Sequence, residues 1–163
     1  MSTRLATVVE PLGSDLIALA QCIALDVSTF PHPSLPPVLS GPLAPHPVWV
    51  ARAPASAGAP LGVVGFAAGR WKRGYLEIAG LAVDARARRQ GVGRALLGAA
   101  TAAARGRRLG AVILHVSTGN PGAYALYRSE GFHENRLLAG FYSSREFPDD
   151  GDALEMILTL GGG

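Results

Sequence analysis

The stretch Leu81-Ala82-Val83-Asp84-Ala85-Arg86-Ala87-Arg88-Arg89-Gln90-Gly91-Val92-Gly93-Arg94-Ala95-Leu96-Leu97 decides how this chain is read. An apolar strand runs into a basic loop holding two glycines. The loop then opens a helix with apolar residues at Val92, Ala95, Leu96, Ala99 and Ala103. Gly91 and Gly93 allow the backbone to approach a ligand with no Cβ in the way. The first amides of a helix have no partner within it and lie at the positive end of its dipole. Such a start accepts a phosphate, and Arg88, Arg89 and Arg94 add positive charge. Spacing excludes two alternatives. A nucleotide-binding P-loop needs a Gly-Lys pair, which the chain lacks, and a dinucleotide fingerprint needs a third glycine where Leu96 stands.

Outward from this segment, periodicity and turn residues set the remaining elements. Before it come a strand at Thr3 to Glu10 and a helix from a Ser14/Asp15 cap to about Ser28, with apolar positions Ile17, Leu19, Ala20, Ile23 and Ala24. A Pro-rich segment, Phe30 to Pro47, comes next, with room for a short helix at 34–39 and with His32 and His46 in Pro-His-Pro repeats. Strands at Val48 to Ala53, Leu61 to Trp71 and Tyr75 to Asp84 form an antiparallel meander. After the helix Gly91 to Arg107 come a strand at Ala111 to Val116 and a helix capped by Asn120, with Pro121 in its first turn and Gly131 as its stop. Phe132 to Tyr142 and Ala153 to Leu160 close the chain as two strands, with a hairpin at 148–151. The fold class is α/β, in one domain over residues 1–163.

Arg88-x-x-Gly91-x-Gly93 after Leu81-Ala82-Val83-Asp84 resembles the acetyl-coenzyme A motif of the GNAT N-acetyltransferases. The chain departs from that pattern at Ala85, where proline is usual. A second signature, Asn120, Tyr127 and Gly131-Phe132, resembles the same family and stands in the right order. The resemblance implies a mixed, mostly antiparallel sheet of seven strands flanked by helices and splayed between the fourth and fifth. It implies acetyl-CoA as donor, held by Leu81, Ala82, Val83, Arg88, Arg89, Gln90, Gly91, Val92, Gly93, Arg94, Asn120 and Tyr127. In the family a primary amine, of a small molecule or of a protein or peptide, attacks the thioester directly. The Val83 amide then stabilises the oxyanion, and Tyr127 is the general acid. Two residues are candidates for the base. Glu77 resembles the glutamate of histone-type members, and His115 takes the place of the glutamate in enzymes acetylating ribosomal-protein N-termini. Dimers are common in the family, so a homodimer is possible here. A different class of function, a non-catalytic acyl-CoA-binding module, would need the loop but not Tyr127.

Composition narrows the rest. The net charge of +3 permits an anionic ligand, yet apart from Arg86, Arg88, Arg89 and Arg94 the arginines are scattered, so no nucleic-acid partner is expected. A single cysteine, Cys22, excludes a disulfide or cysteine metal site within the chain, and the histidines lack ligand spacing, so no metal is expected. The long uncharged stretch from Val27 to Ala51 is too proline-rich for a membrane helix, and the first residues lack the apolar core of a signal peptide. A cytoplasmic location is the expectation.

Overall fold

The computed structural model describes residues 6–30, 35, 46–56, 58–142 and 151–161. Its elements run β1 (Val8–Pro11), α1 (Leu16–Thr29), β2 (Val48–Pro54), β3 (Leu61–Lys72), β4 (Tyr75–Val83), α2 (Val92–Gly106), β5 (Ala111–Ser117), α3 (Pro121–Ser129), β6 (His133–Leu138) and β7 (Ala153–Thr159). A short 3-10 turn, Ala85–Ala87, joins β4 to the loop before α2. The strands form one open sheet in the order β1-β2-β3-β4-β5-β7-β6. β4 and β5 are parallel and pair from Tyr75↔Ala111 to Ile78↔Leu114. The pairs β1–β2, β2–β3, β5–β7 and β6–β7 are antiparallel. This is the expected mixed sheet. Its parallel ladder covers four pairs, and β4 continues to Val83. No helix among the described residues is long and apolar enough to cross a membrane.

The contacts divide the chain into two compact units, residues 1–70 with 79–102 and residues 71–78 with 103–163. In the first, Leu12, Ala18, Cys22, Leu35, Val48, Val50, Phe66, Ala68 and Ala82 form one buried cluster. Asp15 caps α1 by accepting from the Ala18 amide at 2.9 Å. The Arg52 guanidinium grips both Asp15 (2.9 Å) and Glu10 (2.7 Å). The expected apolar face of α1 holds in part: Leu19 and Ile23 pack against this cluster, but Ile17 is 76% exposed, Ala20 and Ala24 are exposed, and the fully buried stripe is Ala18, Cys22 and Asp26. Small residues on that stripe let the helix sit close to the sheet. Burial pushes the Cys22 thiol up to about 11, which suits a packing residue and not a nucleophile.

In the second unit β5 alternates cleanly, with Val112, Leu114 and Val116 buried. β6 is shorter than expected. Gly140 (φ 64°) turns the chain, and its amide donates to Asp152 Oδ1 at 2.8 Å, ending the strand before Tyr142. The sequence expectations at Thr3 to Leu5, at His32, at 34 and 36–39, and at 148–150 lie outside the described residues.

Candidate active site

In the first unit, β4 ends at Val83, and Asp84 organises the turn into α2. Its amide donates to the Val64 carbonyl at 2.8 Å. Its carboxylate caps the 3-10 turn through the Arg86 amide (2.9 Å) and pairs with the Arg86 guanidinium (3.0 Å). Hydrogen bonds from the Arg86 side chain and amide hold the Asp84 carboxyl below its ordinary range. Arg86 is therefore spent inside the protein. Arg88 donates from Nε to the Val83 carbonyl at 3.2 Å. Gln90 reaches back to the Arg86 carbonyl at 3.3 Å. These bonds close the loop on itself.

Arg89 (φ 62°) and Gly91 (φ 80°) are both left-handed. Left-handed residues alternating with ordinary ones turn successive amides toward one side and make an anion-binding concavity. For Arg89 that geometry is costly, on the order of 1 kcal/mol. A Cβ at Gly91 would meet nothing, so it is the dihedral angle there that demands glycine. The Gly91 carbonyl accepts from the Ala95 amide at 3.0 Å, so α2 starts on the loop itself. Val92, Leu96 and Leu97 anchor that start in the core. Gly65 of β3 lies directly beneath: a Cβ there would come within 3.0 Å of the Ala82 carbonyl oxygen, 3.1 Å of Val92 and 3.2 Å of Leu96.

The second unit holds the residues proposed for chemistry. Asn120 caps α3, its Oδ1 accepting from the Ala123 amide at 3.1 Å. The helix ends in a Schellman motif. The Gly131 amide bonds to the Arg128 carbonyl (3.1 Å) and the Phe132 amide to the Tyr127 carbonyl (3.0 Å), with Gly131 at φ 93°. The Phe132 ring packs against the Tyr127 ring, centroids 6.1 Å apart. So the Gly-Phe pair is the clamp that holds Tyr127. Tyr127 is 8% exposed, yet its hydroxyl makes no hydrogen bond among the described residues. Burial, with a smaller contribution from Tyr142, raises its pKa and keeps it protonated. Tyr124 instead donates to Glu134 Oε1 at 2.5 Å, so Glu134 is not the merely solvated charge its sequence position suggests.

Glu77 and His115 share one face of the sheet. Glu77 pairs with Ile113, and His115 is two residues further along β5. His115 lies opposite Glu155 of β7, with Nε2 3.2 Å from Oε2. Its ring stacks on Phe141, centroids 4.7 Å apart. Arg136 donates to both Glu155 oxygens (3.0 and 3.2 Å), and Asn135 donates to Oε1 at 2.7 Å. The Arg136 bond above all, against the opposing effect of burial, pulls the Glu155 carboxyl down to about 2. Sequence reading missed Glu155, Arg136 and Asn135. Their only local signal is a charge inside an apolar strand.

A family model for the acetyltransferase (GNAT) family matches residues 20–132. This chain belongs to the GNAT acetyltransferase family. Among solved structures, the ribosomal-protein-S18-alanine N-acetyltransferase of Escherichia coli is similar at 23% identity over 96% of each chain, with TM-score 0.77. NAA60 of Arabidopsis thaliana, solved with a bisubstrate analogue, is similar at 19% identity over 97% of this chain and 100% of its own, with TM-score 0.81. A nourseothricin acetyltransferase is 30% identical over 71% of this chain and 66% of its own, with TM-score 0.61. No curated protein matches. The matched span includes the loop before α2 and the helix carrying Tyr127.

Proposed function

We propose that this GNAT protein transfers an acetyl group from acetyl-CoA to a primary amine by direct attack. The observation that carries the reading is the Tyr127 hydroxyl: it belongs to a buried, clamped side chain, stays protonated, and has no hydrogen-bond partner among the described residues. The ring is buried but the hydroxyl itself is not sealed from solvent, so this group suits donation to a ligand. The Arg88-to-Gly93 loop suits the pyrophosphate, with Arg89 and the opening amides of α2 as donors. The Asn120 side-chain amide is left to face the ligand, since its oxygen is used in capping.

His115 is the better base. Its Nδ1 makes no hydrogen bond among the described residues, whereas Glu77 is already engaged. The acceptor ammonium gives a proton to His115 Nδ1, and the freed amine lone pair attacks the thioester carbon. The C–N bond forms, the C–S bond breaks, and the departing sulfur takes the Tyr127 proton; the nitrogen gives up its second proton to the Tyr127 phenolate, leaving the neutral amide, free coenzyme A and one proton on His115. Of the similar proteins named above, one is an N-acetyltransferase of an alanine of ribosomal protein S18 and another a nourseothricin acetyltransferase. Either class of amine suits this chain. A thermal shift tests the reading. Acetyl-CoA at millimolar concentration raises the melting temperature by mass action, and no shift would overturn it. A panel of an alanine-leading peptide, spermidine and an aminoglycoside, read by free-thiol release, then ranks acceptors.

A further inference from the structure

We propose that Glu155 is a positioning residue for acetyl transfer: it fixes His115 as the Nε2–H tautomer and so presents the Nδ1 lone pair to the acceptor amine. The inference rests on the reading of His115 as base. An ionised carboxylate only accepts hydrogen bonds, at about four lone-pair sites on its two oxygens. Glu155 has four such contacts: Asn135 Nδ2 (2.7 Å) and Arg136 Nε (3.0 Å) on Oε1, and the other Arg136 nitrogen (3.2 Å) and His115 Nε2 (3.2 Å) on Oε2. The carboxylate is thus pinned, and the one role it leaves to His115 Nε2 is that of donor. The opposite tautomer would set a nitrogen lone pair against a carboxylate oxygen.

The backbone is shaped for this. β6 pairs Glu134 with Met156 but Arg136 with Glu155, so Asn135 is an extra residue in a bulge. Without it, every later side chain of β6 would change face. With it, both Asn135 and Arg136 reach the same carboxylate. Phe141 stacks on the imidazole and stops the ring turning. Arg136 also tempers the electrostatics. It shares the carboxylate charge, since both of its bonded nitrogens lie on the Glu155 oxygens. Among the described residues of these strands, the charged and titratable groups on this face are Glu155 from β7, His133 and Arg136 from β6, and Tyr75 and Glu77 from β4.

The direct test needs no acceptor. Long-range 15N correlation spectra of the histidine-labelled full chain, with His115 assigned by its loss in His115→Gln, report which ring nitrogen carries the proton. The expected result is Nε2–H in the wild type; an Nδ1–H tautomer there overturns the proposal whatever the variants do. In Glu155→Gln the amide can present N–H to the ring, so the fixed tautomer is lost. The expected kinetics, with the best acceptor of the panel, are a fall in kcat of about 10²-fold or more, an unchanged KM for acetyl-CoA, and an acidic limb of the pH profile moved to lower pH. A Glu155→Gln enzyme with the wild-type tautomer and pH profile would also overturn it. Retained stabilisation by acetyl-CoA shows that the variant folds. Loss of that stabilisation in the wild type would instead sink the transferase reading and leave the tautomer result standing.

Discussion

The loop from Asp84 to Gly93 and the face formed by β5, β7 and β6 both concentrate charge, and they treat it in opposite ways. In the loop, Asp84 neutralises Arg86 and Arg88 pins the backbone, but Arg89 and the helix start point outward from a strained, left-handed turn. On the face, every contact of the Glu155 carboxylate is filled from within the chain. The first arrangement leaves room for the ligand proposed for it. The second is complete beforehand, as a group that must orient chemistry without reorganising should be. Binding and catalysis are in this way assigned to regions with different tolerance for change.

The largest expected effect is on chemistry alone. Tyr127→Phe is expected to lower kcat by roughly 10²- to 10⁴-fold while the thermal shift with acetyl-CoA persists; a full-rate Phe variant would show that the unpartnered hydroxyl is idle. Next comes the floor under the loop. Gly65→Val forces a side chain against the Ala82 carbonyl, Val92 and Leu96, and overpacking of this kind costs about 1–3 kcal/mol. Chemical denaturation should show the loss together with weaker acetyl-CoA binding.

The face is probed by pH. The Glu155 carboxyl is lowered from 4.5 to about 2, so its contribution to stability is fully present above the unfolded value and is lost as pH falls through the folded one. Between those two pH values the wild type should lose on the order of 2 kcal/mol more than Glu155→Gln. Parallel acid-denaturation curves would mean that the four contacts contribute nothing net. The smallest effect belongs to Arg89→Gly. Relief of the left-handed strain should raise stability by up to about 1 kcal/mol, while loss of the cation weakens acetyl-CoA binding. Isothermal titration of acetyl-CoA into both proteins separates the two consequences.

Legibility in the sequence divides along the same line. The loop is contiguous, so glycine spacing, arginines and the following helix revealed its ligand class without tertiary information. Asn120 and Gly131 were legible because caps are local. The Asp15 cap was too, but not its ion pair with Arg52, which reaches across from β2. The His115 environment was not legible. It is assembled by the β5–β7 register, by a one-residue bulge at Asn135 and by a ring beyond the end of β6. Sequence reading favoured Glu77 over His115 as the base, because the contacts that each makes within the sheet are not visible in it.

Gly65 has a further consequence. With hydrogen in place of a side chain, β3 lies against α2 with no compressible layer between them, and so acts as a hard stop for the helix. The height of the opening amides of α2 above β3 is then a fixed dimension of this unit, insensitive to which surface arginines are exchanged. Arginine content around the loop can drift and retune affinity for the donor, while the seat itself keeps its shape.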